Sequence, residues 1–139
     1  MTALLDTSVI LASLDPDESS HEHCDRLISG GGHWIYVHAL SESFSILTGG
    51  RMKRRVKAAV ATRLLKESVL PFVRTLTLNE KEIMSALADS EIRGVRGGAV
   101  YGYLHLIAAR KANVDRLITL DSRNFLALCK PGDPEIVTV

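Results

Sequence analysis

Short apolar runs alternate with stretches of helical period along the whole chain, and few architectures accommodate that pattern. "ALLD" (3–6) precedes "TSVILASL"; "WIYV" (34–37) precedes "ALSESFSIL" and then a basic helical stretch; "FVRTL" (72–76) precedes "EKEIMSALADSEI". "RLITL" (116–120) follows a helical segment that opens near Ala99, and "EIVTV" closes the sequence. Strands separated by helices are joined by crossovers, which makes neighbouring strands parallel and lays the helices on the sheet faces. The pattern predicts an α/β fold with a mostly parallel sheet.

Local punctuation agrees. Asn79 stands three residues before Glu82, a capping-box spacing that starts a helix, and Gly94 suits its C-terminal stop. Gly30, Gly31 and Gly32 mark a turn after a helix from about Ser20 to Ser29. "GVRGG" (94–98) marks a flexible loop, which is expected to carry the two cations Arg93 and Arg96. The next helical segment, "AVYGYLHLIAARK" (99–111), puts Val100, Leu104, Ile107 and Ala108 on one side. It also carries Gly102 on the face shared with His105 and Leu106, where glycine costs roughly 1 kcal/mol against alanine.

At 139 residues, 46% hydrophobic and 24% charged, the chain has the size and composition of one globular domain spanning residues 1–139. Its apolar stretches fall short of the ~18 residues a membrane span needs, and "MTALLD" lacks the basic start and long apolar run of a signal peptide. The expectation is a soluble cytoplasmic protein with no membrane partner. Cys24 and Cys129 are too few and too far apart for a disulfide framework or a CxxC site, and read as two reduced thiols. A net charge of +1 gives no global pull toward nucleic acid, so such a partner needs a local patch. "RMKRRVKAAVATRLLK" (51–66) supplies one, with Arg51, Lys53, Arg54, Arg55, Lys57, Arg63 and Lys66 and no acid. The same stretch also reads as a solvated helix face opposite Met52, Val56, Val60 and Leu64, so it supports a nucleic-acid partner without deciding it.

In an open parallel α/β sheet, ligands bind beyond the carboxyl ends of the strands, above all where strand order reverses. Three acids fall on that edge. Asp6 ends the first strand, Glu42 lies in the first turns of the helix after the second, and Asp121 ends "RLITL". Each also has a local structural role open to it: Asp6 as a helix cap, Glu42 as a helix-dipole partner, Asp121 in an Asx turn before Ser122. Together they form a like-charged cluster, which usually persists only when a cation compensates it. Oxygen ligands of this kind select Mg²⁺ or Mn²⁺, and such a site suits phosphodiester hydrolysis by a metal-activated water.

Other groups carry less. Ser8 lies near the cluster, but no GxSxG elbow supports a serine nucleophile, and a serine at a helix N-terminus is the plainer reading. In "HEHCD" (21–25), His21 and His23 are two apart on a helix and do not face each other. His105 is placed either to orient a metal water or phosphate, or to pack with a backbone hydrogen bond. Trp34 and the three tyrosines form no base-stacking pattern and read as core or rim residues.

"LLDTSVILA", "SESFSIL", "YGYLHLIAAR" and "LITLDSRNF" resemble, in order and spacing, the PIN-domain ribonucleases, and in length and detail the VapC-type toxins of bacterial toxin–antitoxin pairs. The resemblance covers essentially the whole chain. It implies a PIN-like three-layer α/β/α fold with about five parallel strands and an acidic pocket holding Mg²⁺ or Mn²⁺. It further implies endonucleolytic cleavage of structured RNA, such as a tRNA or rRNA loop, a cognate VapB-like antitoxin and a homodimer. Residue by residue, Asp6 and Asp121 resemble metal ligands, and Glu42 resembles the acid that holds a metal or its water. Ser8 and Thr119 match flanking polar positions, Asn124 stands where some members have a further acid, and Ser8, Arg93 and Arg96 are the expected RNA contacts. Gly102 is the departure: the family usually has a metal-binding Asp there. Losing a charged ligand weakens metal binding, since outer-sphere changes alone cost about 10- to 100-fold.

The resemblance predicts a metal-dependent endoribonuclease toxin, weakened or inactive with Gly102. The alternative is a catalytically silent PIN-fold module that binds RNA or an antitoxin. A phosphoacceptor domain would need adjacent acids after the first strand, and a haloacid-dehalogenase-like phosphatase an Asp where Ser8 stands.

Overall fold

A computed structural model describes residues 1–50 and 55–139. Five parallel strands, β1 (Ala3–Leu5), β2 (Trp34–Tyr36), β3 (Arg74–Leu76), β4 (Arg116–Thr119) and β5 (Glu135–Thr138), form one sheet in the order β3-β2-β1-β4-β5. The chain builds outward from β1 to β3 on one side, then returns to add β4 and β5 on the other. Strand order therefore reverses between β1 and β4, where Leu4 pairs with Leu117 and Leu5 with Ile118. The carboxyl ends of these two strands carry Asp6 and Asp121.

Among the described residues seven α-helices cover the sheet: α1 (Thr7–Leu14), α2 (His21–Ser29), α3 (His38–Gly49), α4 (Ala58–Ser68), α5 (Glu80–Arg93), α6 (Ala99–Ala112) and α7 (Arg123–Leu128). Alternation along the strands divides the core in two. Ala3, Leu5, Ile35 and Ile118 pack with Val9 and Ile10 of α1, Cys24 and Ile28 of α2, Ala39 of α3 and Leu65 of α4. Leu4, Tyr36 and Leu117 pack on the opposite face with Ala86 of α5, Leu104 and Ala108 of α6, and Phe125 and Leu128 of α7. This is the three-layer α/β/α arrangement. No helix among the described residues is long and apolar enough to cross a membrane. Neither cysteine is in a disulfide, and Cys24 is buried.

The caps predicted for α5 are both present. Asn79 accepts from the Glu82 N–H at 2.8 Å while Glu82 accepts from the Asn79 N–H at 2.9 Å, and Gly94 closes the helix at φ +69°. β3 starts at Arg74 rather than Phe72, because Leu70–Phe72, with Pro71 inside it, forms a 3₁₀ turn first.

Three expectations need correction. The basic stretch is not one helix from Arg51 to Lys66: Arg51, Met52, Lys53 and Arg54 lie outside the described residues, 55–57 are non-helical, and α4 begins at Ala58. Its buried line is Ala61 and Leu65, with Val60 and Leu64 half-buried beside them; Val56 does not belong to the helix. Arg93 is not in the 94–98 loop but in the last turn of α5, 3.1 Å from Asp89 four residues earlier. Finally, α6 is buried on most of its circumference: Tyr103, His105, Leu106 and Ala109 are covered as well as Leu104 and Ala108.

Candidate functional site

Asp6 follows β1 directly and is the N-cap of α1. Its extended backbone lets the carboxylate turn back onto the open N–H groups of the first helical turn. Oδ1 accepts from the Ser8 N–H at 3.1 Å, the Val9 N–H at 3.4 Å and the Ser8 hydroxyl. Oδ2 accepts from the Thr119 hydroxyl at 2.8 Å, a bond that joins β1 to β4 across the reversal point. Ser8 Oγ in turn accepts from the Leu120 N–H at 3.0 Å, and Thr119 Oγ1 from the Asp121 N–H at 3.1 Å. Burial at 7% exposure pushes the Asp6 carboxyl above its ordinary value, against the opposing pull of Ser8, His105, Thr119 and Val9. Thr119 was only a flanking match in the sequence; here it is the direct partner of Asp6.

Glu42 and His105 form the second group. His105 Nε2 on α6 donates to Glu42 Oε1 on α3 at 2.9 Å, and Thr7 Oγ1 lies 3.5 Å from the same nitrogen. The imidazole is buried at 2% exposure, and its Nδ1 has no hydrogen-bond partner. Partial burial disfavours the Glu42 carboxylate, but the His105 hydrogen bond and charge, with His38 and Thr7, outweigh it and hold its pKa below the ordinary value. Of the two outcomes expected for His105, neither is seen in full: it is packed, yet its partner is a carboxylate rather than backbone.

Asp121 stands apart. It forms the Asx turn open to it from sequence, with the Arg123 N–H 3.2 Å from Oδ1, and both oxygens also accept from the Arg123 guanidinium at 3.0 and 2.8 Å. Arg123 takes its pKa down to about 2. The carboxylate is 53% exposed, turned toward solvent.

Gly102 lies one helical turn before His105 and next to Tyr101. Its φ is not positive, and a Cβ added there would meet only the Phe125 ring, at 3.9 Å. Phe125 belongs to α7, the helix that follows Asp121, so the position sits between the His105 side of the site and the Asp121 side. Neither backbone nor space demands a glycine.

Mg²⁺ or Mn²⁺ bound by protein oxygens needs acidic groups that converge. Among the described residues no three His, Cys, Asp or Glu side chains are grouped to hold a metal ion. Asp6 is engaged by hydroxyl and N–H donors, Glu42 by His105 and Asp121 by Arg123. The side chains as arranged do not fit the ion expected from sequence. Ser8 belongs to the Asp6 network; Arg93 is paired with Asp89, and Arg96 is exposed in the connection before α6.

A cleft of about 380 Å³ opens beside Glu42, lined by His38, Ser41, Glu42, Ser45, Ile46 and Tyr101. Tyr36 and Tyr103 are core residues, at 4% and 1% exposure, as expected. Tyr101 is the rim residue of the three: it is 49% exposed and stacks on His38, centroids 5.5 Å apart and planes 18° from parallel. The sequence held a weak signal for it, an aromatic in the first turn of a helix whose apolar face lies elsewhere.

No protein-family model matches the chain, and no curated protein matches it. Solved structures do. The sarcin-ricin-loop-cleaving toxin VapC20 of Mycobacterium tuberculosis superposes with a TM-score of 0.70 at 19% identity, over 95% of this chain and 99% of that one. VapBC2 from Rickettsia felis, bound to a promoter DNA fragment, gives 0.65 at 15% identity over 100% and 99% of the two chains. VapBC-1 from nontypeable Haemophilus influenzae gives 0.62 at 18% over 99% and 98%. These likenesses over nearly the whole chain show the fold: a PIN-like three-layer α/β/α arrangement.

Proposed function

We propose that the chain is a VapC-type toxin that engages RNA at the strand ends and, with Gly102, cleaves it weakly or not at all. The observation that carries this reading is the Asp6–Thr119 bond at the reversal point, flanked by Glu42 and His105. It puts a buried carboxylate where sheets of this kind bind ligands. The pairing of Glu42 with His105 and Asp121 with Arg123 favours the silent, RNA- or antitoxin-binding form of the reading for the chain as it stands. Divalent-ion-dependent cleavage is assigned to the Gly102→Asp form. A VapB-like antitoxin, supported by the VapBC complexes among the structural likenesses, and a homodimer, carried over from the sequence resemblance alone, complete the proposal.

The test is cleavage of loop-containing tRNA and rRNA fragments by this chain beside Gly102→Asp, with Mn²⁺, Mg²⁺ or EDTA. Gly102→Asp is expected to cleave at least about tenfold faster, to stop in EDTA, and to fail when Asp6→Ala is added. Cleavage that survives both EDTA and Asp6→Ala overturns the metal-dependent mechanism. RNA binding without cleavage in either form decides for the silent module, and absence of both binding and cleavage overturns the RNA reading.

A further inference from the structure

The ring of Tyr101 is held for contact on one side and left open on the other. His38, the first residue of α3, backs one face of the phenol at 5.5 Å. His38 in turn lies 6.0 Å from the ring of buried Tyr36, which meets His105 edge-on at 5.5 Å. An aromatic column thus runs from the Glu42–His105 pair to the surface and ends in a half-exposed ring. The half-exposed Tyr101 lines the cleft beside Glu42 and is already backed by an aromatic partner, an arrangement that the single exposed apolar side chains elsewhere among the described residues lack.

We infer that the Tyr101–His38 stack is a platform for one unpaired nucleobase of the RNA, a deduction that rests on the RNA reading above. A flat π-face accepts any base by stacking, and a base locked in a duplex cannot present its face to a ring in a cleft. Charge selects which part of a nucleotide enters. The Glu42 carboxylate on the cleft wall disfavours a phosphate, whereas the Ser41 and Ser45 hydroxyls and Glu42 itself can meet the polar edge of a base. The phosphates then stay outside the cleft, and Arg96, exposed in the connection before α6, is a cation available to them. Tyr101 is on this view a positioning and selectivity residue that commits the chain to single-stranded or looped RNA.

The experiment uses short single-stranded oligoribonucleotides carrying 2-aminopurine, whose fluorescence falls on stacking, and the same strand annealed to its complement. With the full chain the single strand is expected to bind with quenching and the duplex without it. Tyr101→Ala should bind the single strand about tenfold or more weakly and lose the quenching, while Tyr101→Phe, which keeps the ring, should retain both. His38→Ala should reduce the quenching. An unchanged thermal midpoint in Tyr101→Ala separates loss of the platform from loss of the fold. Wild-type affinity and quenching in Tyr101→Ala overturn the platform and leave the RNA reading intact. If the wild-type chain binds neither RNA, the RNA reading falls and the platform with it. In that case a synthetic arginine-bearing peptide, bound by wild type and lost in Tyr101→Ala, reassigns the stack to a protein partner.

Discussion

Gly102 concentrates what single residues do in this molecule. The backbone there is ordinary helix, and the nearest atoms to an added Cβ are those of Phe125 at 3.9 and 4.0 Å. Filling the position should therefore stabilise the fold, since alanine restricts the unfolded chain and suits a helix interior. Gly102→Ala is expected to raise the free energy of unfolding by about 0.5–1 kcal/mol in urea titration, without restoring cleavage. A loss of stability would mean that Phe125 is already pressed against the helix. Asp6 and Asp121 show the other side of the residue scale. The local roles open to them from sequence, helix cap and Asx turn, are both present, and Asp6 bonds across strands as well. Adjacency in sequence could reveal the first kind of bond. It could not reveal the second, because Thr119 lies 113 residues away.

At the scale of elements, the legible parts were those written locally. The capping box of α5 depends on two residues three apart, and Asn79→Ala should cost about 1 kcal/mol of stability in chemical denaturation. Restoring Ser at 79 should recover most of it. β1 was also readable, because a run buried on both faces has to be apolar throughout, whereas the edge strands β3 and β5, with exposed Arg74, Thr75 and Glu135, were marked by short runs rich in β-branched residues. The basic stretch misled, since a charge-rich segment leaves the start of a helix weakly marked; Ala61 and Leu65 set the face of α4, and residues 55–57 just before it are not helical. Arg93 was misplaced for a related reason. Gly94 marks the end of α5, and the residue before a glycine stop belongs to the helix.

For the molecule as a whole, one flank of the sheet is tied to the helical layer by a partly buried ion pair. At the far edge, Arg110 of α6 grips Asp133, just before β5, through bonds of 2.6 and 2.8 Å, with the Asp133 side chain only 5% exposed. Burial opposes ionisation of Asp133, but the Arg110 hydrogen bonds, the Lys130 N–H and the nearby charges outweigh it and hold its pKa below the ordinary carboxyl value. The folded value is thus the lower one, so the pair's contribution is present above the unfolded value and disappears as pH falls through the folded value. Asp133→Asn should lower stability at neutral pH by about 1–3 kcal/mol, and the gap to wild type should narrow as pH drops below about 4. A gap independent of pH would assign the loss to packing. What sequence could not supply at this scale was convergence. The α/β/α fold and the shared edge of Asp6, Glu42 and Asp121 follow from strand–helix order, but the direction each carboxylate takes depends on His105 and Arg123, partners that no spacing announces.

The strand order also has a consequence for how the protein is made. β1 leaves the ribosome first and can pair with β2, but the edge that receives β4 stays open until residues beyond 116 have been synthesised. Until then a nascent chain carries Asp6 without Thr119 and displays an unpaired central edge, a ready template for another strand. The site at the reversal point therefore waits for β4, the fourth of the five strands in chain order, before Asp6 can find Thr119.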